Sequence, residues 1–191
     1  SQVKSMNDTD GTTKIDLSWT APPETDVTSV ELYRKGFGFY PEYDDDGGAA
    51  PAAPADAATA IGAGWTHVVS LAGAASAYTD EPAARDYWYY VAFVVDDCAN
   101  VSAVSNRTDG TLNYHLGDVA VSPGDNLVGG VDVSALGAAY GTNDGDGLYD
   151  NELDVGPTAD NSTNTLPSTD NLIQFEDLMI FAINYGTVSK P

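Results

Sequence analysis

The sequence predicts a mainly β protein: an N-terminal antiparallel β-sandwich followed by a small α-helical module with EF-hand-like loops. Three observations carry that expectation. Short segments with apolar residues at every second position recur through the first 112 residues, the period of half-buried strands. After LNYHL the composition shifts, and residues 116–191 hold twelve acids and a single base, Lys190. Within that acidic stretch one seventeen-residue pattern occurs twice, at 125–141 and 170–186.

The strands come first. TKIDLSW and SVELYRK place Ile15, Leu17, Trp19, Val30 and Leu32 on alternate positions, separated by the turn-rich APPETD. The same period returns in WTHVVSL, SAYTD, the aromatic DYWYYVAFVVD and NVSAVS, with Gly and Pro between them and no helical run. Short strands at that spacing indicate two packed antiparallel sheets.

In its order of segments, IDLSWTAP with a buried Trp19, VTSVELYRKG, AYTD and YWYYVAFVVDDCANVSAVSN, the first half resembles a fibronectin type III domain. The likeness covers about residues 3 to 110 and defines a first domain over 1–112. Trp88 stands where that family usually has its corner tyrosine. An Ala/Pro/Gly-rich insert at 36–64 is expected to be a surface loop that adds nothing to the core. The resemblance leaves function open, because the fold serves many. Packing is the expected role of the aromatic strand, with a sugar-binding or adhesive face, aided by the insert, as the alternative.

In the second half, 113–191, DNLVGGVDVSALGAAYG overlays DNLIQFEDLMIFAINYG without a gap, aligning Asp125 with Asp170, Leu127 with Leu172, Asp132 with Asp177 and Gly141 with Gly186. Upstream, Asp118-Val119-Ala120 matches Asp154-Val155-Gly156. An EF-hand loop takes oxygens from positions 1, 3, 5, 7, 9 and 12, and position 5 precedes position 12 by seven. Asp118 and Asp154 then fall at position 1, Asp125 and Asp170 at position 5, and the carbonyls of Leu127 and Leu172 at position 7. Gln174 takes position 9 of the second loop, and Asp132 and Asp177 take position 12 at their helix N-termini, where the dipole also favours an acid. Each loop carries an insertion between positions 1 and 5, in which Ser122, Asp160 and Thr169 are candidate extra ligands. Between the repeats, Asp144, Asp146 and Asp150 with Gly147 suggest a third loop. The expectation is two or three Ca2+ ions. Turn formation by Asp, Asn and Gly is the competing reading, and the duplication disfavours it.

A duplicated loop and helix of this kind resembles the dockerin module of secreted multi-protein assemblies, over about residues 116–187. That resemblance implies a partner-binding role. The residues before position 12 that select a partner in that family are often Ser and Thr; here they are Gly130 and Val131, then Phe175 and Glu176. The first helix has a narrow stripe of Val133, Leu136, Gly137 and Tyr140. The second is apolar nearly all round, which implies a second contact through Met179, Ile180 and Ile183, made with the first domain, another protein or another copy of the chain.

A net charge of −22, from 29 acids and 7 bases, argues against nucleic acid and anionic membrane surfaces and favours cations. No apolar run is long enough to span a bilayer. One cysteine, Cys98, excludes an intrachain disulfide. Nothing resembles GxSxG, a P-loop or HExxH. The expected role is noncatalytic: a calcium-stabilised, extracellular or cell-surface association module that docks onto a protein or self-assembles into a fibre. Sequons at Asn7, Asn100, Asn106 and Asn161 suit such a location.

Overall fold

The computed structural model describes residues 2–4, 11–43, 48–120 and 124–186. Asn7, Ser122 and Lys190 lie outside the described residues. The chain is mainly β, with antiparallel sheets and three α-helices among the described residues. One sheet has the order β1 (Gln2–Lys4), β2 (Ile15–Ser18), β5 (Ala77–Asp80). The other runs β4 (Thr66–Ala72), β3 (Val27–Gly36), β6 (Tyr87–Asp96), β7 (Thr111–Leu112).

Strict alternation in β2 buries Ile15 and Leu17 and exposes Asp16 and Ser18. The two buried residues meet Leu32 of β3 and Tyr90 of β6 in one cluster between the sheets, each aliphatic contributing roughly 1.5–3 kcal/mol by leaving water. Trp19, expected to be buried, is half-buried at the rim, and its indole N–H donates to the Ala75 carbonyl at 2.8 Å.

β6 is covered on both faces. Trp88, Tyr90 and Ala92 face the cluster between the sheets, whereas Tyr87, Tyr89, Val91 and Phe93 belong to a second, larger core. That explains why the strand reads as an almost unbroken apolar run, the pattern of strands buried on two sides.

Much of the second cover comes from the insert, contrary to the expectation that it would add nothing. Tyr43 and Ala60 are fully buried in that core, and Phe37, Tyr40 and Ala57 pack against it. A one-turn helix, α1 (Ala57–Ala60), is started by Asp56, whose carboxylate accepts the Thr59 amide at 2.8 Å. Arg107 clamps the segment: its guanidinium lies 4.7 Å above the Tyr89 ring and donates to the Pro51 carbonyl. A composition poor in large apolar residues supplies core here because its few aromatics pack against the outer face of β6.

Residues 100–105 are the one expected strand that does not form; Val101 makes a single bridge to Val95. Instead Ser102, Ser105 and Thr108 side-chain oxygens accept the amides of Val94, Ala92 and Tyr90 at 3.0, 2.9 and 2.9 Å. Their own amides donate back to the same three residues' carbonyls. The repeat of three matches a polyproline-II turn, and hydroxyls replace backbone carbonyls in the ladder.

The larger core continues without a break into the second half, through Leu112, Tyr114 and Leu116 to Val128, Leu136, Ile173 and Phe181. Helix α2 (Gly130–Ala139) buries Asp132, Leu136 and Ala139. Helix α3 (Phe175–Asn184) buries Asp177, Ile180, Phe181 and Asn184. Two sequence expectations change here. Tyr140 lies past the end of α2 and is exposed, its place in the stripe taken by Ala139. Ile180 points into the core, only 4% exposed, while Met179 and Ile183 are 44 and 49% exposed.

Candidate functional site: two aspartate-braced repeats

The duplication legible in the sequence is repeated in the structure in the bonds made by the aspartate that starts each helix. In the first repeat Asp132, at the third position of α2, accepts the Val119 and Ala120 amides on Oδ1 (2.9 and 2.8 Å) and the Gly129 amide on Oδ2 (2.7 Å). In the second, Asp177 accepts Val155 and Gly156 on Oδ1 (2.8 and 2.9 Å) and Gln174 on Oδ2 (2.8 Å). Each carboxylate closes its own helix N-terminus, as in half of a capping box, and pins the loop that begins the repeat.

The remaining aspartates correspond too. Asp125 and Asp170 are exposed and accept the Leu127 and Leu172 amides, each at 3.1 Å, an Asx turn. Asn126 and Asn171 follow with φ of 63° and 64°. Asp118 accepts the Asp125 and Asn126 amides at 3.0 and 2.9 Å, and Asp154 accepts the Asn171 amide at 2.7 Å. The repeats also exchange a bond: Gly141 N–H donates to Ile173 O at 2.7 Å, and Gly186 N–H to Val128 O at 2.9 Å. That reciprocity is a local two-fold relation, and it requires the positive φ of both glycines, 86° and 67°.

Symmetry ends at the first aspartate of each repeat, whose two oxygens are met differently. Asp118 Oδ2 receives Arg85 Nη2 at 2.6 Å, and Arg85 also donates to the Asp118 and Gly11 carbonyls at 2.6 and 2.8 Å. Its guanidinium rests 5.0 Å from the Tyr114 ring centre. Gly124 makes room: its φ is 106°, and a Cβ there would collide with Arg85 Nη2 and Asp118 Oδ2. In the second repeat the same oxygen of Asp154 receives the Tyr149 hydroxyl at 3.1 Å, and that hydroxyl also lies 3.3 Å from buried Glu42. Asp154 Oδ1 is buried without a hydrogen bond, although the nearby Asp170 amide favours its ionised form.

Charge balance differs accordingly. Burial raises the Asp118 carboxyl while Arg85 opposes the rise. Burial pushes Asp154 to about 6 and Asp177 to about 7, with Asp154 itself adding to the rise at Asp177. No Lys, Arg or His occurs between 116 and 186 to offset them.

These contacts test the fit to calcium, which needs six to eight converging oxygens. The first repeat does not fit: Asp132 is filled by amides, Asp118 by amides and a guanidinium, and Asp125 and Leu127 sit in an exposed turn. The intervening segment does not converge either. Asp146 accepts the Asn143 amide, Asp150 the Glu152 amide, and Asp144 donates its amide to Asn171. Its positive-φ turn residue is Gly145, not Gly147. The second repeat fits in part, keeping one open buried oxygen on Asp154 while Gln174 serves as the N-cap of α3 and Asp160 accepts the Ser162 amide. Among the described residues, the one group of three acidic, His or Cys ligand atoms lying within 4.8 Å of one another is the exposed Asp96, Asp97 and Cys98.

Comparison with family models, with curated proteins and with solved structures found no match to this chain in any of the three.

Arg85, Gly124 and Tyr149 are the site residues that sequence reasoning missed. Arg85 lies 33 positions from Asp118. Its only signal was being one of seven bases in a chain with 29 acids.

Proposed function

We propose that this chain is a noncatalytic, exported association module in which a fibronectin-type-III-like sandwich carries a dockerin-like duplicated unit. It docks onto another protein or onto a second copy of itself through the outer face of α3. The observation that carries this reading is the row Phe175, Met179 and Ile183, exposed by 63, 44 and 49%, with Leu178 beside it at 37%. Spacings of four along a helix make one continuous apolar face, and a contiguous face of that kind on a chain this acidic suits contact with protein. Met179 lends adaptability.

Other features support the same reading. His67 pairs with Glu31 at 2.8 Å and His115 is 1% exposed, arrangements suited to structure. Among the described residues no helix is long and apolar enough to cross a membrane. Asn100, Asn106 and Asn161 are all exposed, as acceptors of glycosylation outside the cell would be. The carbohydrate alternative loses its platform, because Tyr87, Tyr89 and Tyr90 are buried and Arg34 lies 5.2 Å from the Trp88 ring centre. A divalent cation, calcium outside the cell, belongs to this proposal at the second repeat.

The test is the mass of the purified chain by light scattering, with negative-stain microscopy, in calcium and in chelator. Self-assembly gives a mass above that of one chain or a fibre, lost in Met179→Asp; a docking module stays monomeric until its partner is added. An assembly indifferent to Met179→Asp and Ile183→Asp would remove α3 from the interface.

A further inference from the structure

Between its two sheets the sandwich holds an open groove of about 530 Å3, within the size range of binding clefts. Its floor is Val30, Leu32 and Tyr90, all buried. One wall is the end of β2 with the residues up to Pro22, and the other is the extended segment 102–108. Strand β1 reaches β2 only at Ile15 to Leu17, and the groove opens beside the residues that follow. The polar groups of its lining are already committed. The Trp19 indole donates to the Ala75 carbonyl and the Tyr90 hydroxyl to Asp80, at 2.8 Å each. The Ser102 and Ser105 hydroxyls donate to the Ala103 and Asn106 carbonyls while accepting amides of β6. What the groove offers an occupant is therefore mainly apolar surface. Among the described residues its lining contains no Asp, Glu, Lys, Arg or His, in a chain of net charge −22.

We infer that the outer face of α3 docks into this groove on a second copy of the chain. The inference rests on the association face proposed above and names what that face meets. Phe175, Met179 and Ile183, spaced by four, are the anchors of a helix laid into an apolar groove. One chain carries both the ridge and the trough, and leaves both uncovered. Two copies repel at long range because each is strongly acidic. Their contact is favourable only where neither surface brings a charge, and the groove lining and the α3 row both meet that condition. Ridge and trough are different patches, so the contact is heterologous. Each joined pair keeps a free groove at one end and a free α3 at the other, and addition of further copies builds a fibre unless the rotation closes a ring.

The experiment is light scattering on the full chain over a range of protein and sodium chloride concentrations, with three variants and a mixture. The mass of the native chain rises with both concentrations, because salt screens the repulsion between copies. Met179→Asp removes the ridge, and Ala103→Glu or Thr20→Glu, at exposed positions on the two walls, blocks the trough; each variant alone stays at the mass of one chain. Thermal melts close to native show that these surface changes leave the fold intact. Mixed in equal amounts, Met179→Asp and Ala103→Glu restore one good ridge and one good trough, so the mass doubles and grows no further. A native chain that stays monomeric under every condition overturns the second copy as partner and leaves docking onto another protein standing. Assembly lost in Met179→Asp but kept in both groove variants, or a mixture that never doubles, overturns the groove alone. Assembly that survives Met179→Asp overturns the groove and the α3 reading together.

Discussion

At the scale of single residues, the acids of the second half divide into two kinds. Asp132 and Asp177 each satisfy three backbone amides while buried. An unmet buried amide costs about 1–3 kcal/mol, so Asp177→Ala is expected to lose about 3 kcal/mol or more in urea unfolding. Asp170→Ala, which removes one exposed Asx turn, is expected to cost less than about 1 kcal/mol. Similar losses at both positions would overturn the bracing role. The same burial makes stability depend on pH. With the folded-state values of Asp154 and Asp177 lifted to about 6 and about 7, above the usual carboxylate near 4, the folded state holds protons that the unfolded chain has released. Stability in chelator therefore falls as pH rises from about 4 to about 7 and levels off above. Thermal melts across that window, repeated with calcium, should show the fall in chelator and its suppression by the ion.

At the scale of elements, α3 separates cleanly into two faces. Ile180 and Phe181 are 4 and 0% exposed, so Ile180→Ala should cost about 2–5 kcal/mol by leaving a cavity. Met179→Ser and Ile183→Ser lie on the exposed face and should change folding by about 0.5 kcal/mol or less while weakening association. Equal effects of the two sets on folding would refute the division. The segment 100–108 makes the complementary point. Ser105→Ala adds no bulk and removes the acceptor of the Ala92 amide, leaving a strand donor unmet at about 1–3 kcal/mol. Faster amide exchange at Ala92 than at its neighbours in β6 is the expected signature.

At the scale of the whole molecule, one core runs from the insert through β6 and β7 into both repeats. Polar bonds follow the same route: Asn126 Nδ2 donates to the Thr12 carbonyl at 2.7 Å, Asn184 Nδ2 to the Leu116 carbonyl at 3.0 Å, and Tyr40 Oη to Glu152 at 3.3 Å. The change of composition after Leu112 reads as a boundary between two modules, but Leu112 and Leu116 are fully buried and Tyr114 nearly so, so the connector is core. Calorimetry should give a single unfolding transition, and a fragment starting at Leu116 should expose amides by hydrogen exchange that are protected in the full chain. Two independent transitions would mean that the halves fold separately.

Much of this was legible beforehand. Alternation located β2 to β6 because a sheet with one buried face imposes a period of two. The gapless overlay of 125–141 on 170–186 anticipated matching hydrogen bonds, since the same local sequence closes the same turn and caps the same helix start. Local chemistry, whose partners are near in sequence, is what the sequence by itself determined. It could not say which face of an all-apolar helix is covered, that Tyr43 and Ala60 of a loop-like insert would roof β6, or that Ser102, Ser105 and Thr108 would replace a strand. Nor could it tell that Asp118 would meet an arginine while Asp154 met a tyrosine. Those outcomes depend on residues far apart in the chain arriving at one place, and only the tertiary structure decides how the charge of a buried aspartate is balanced.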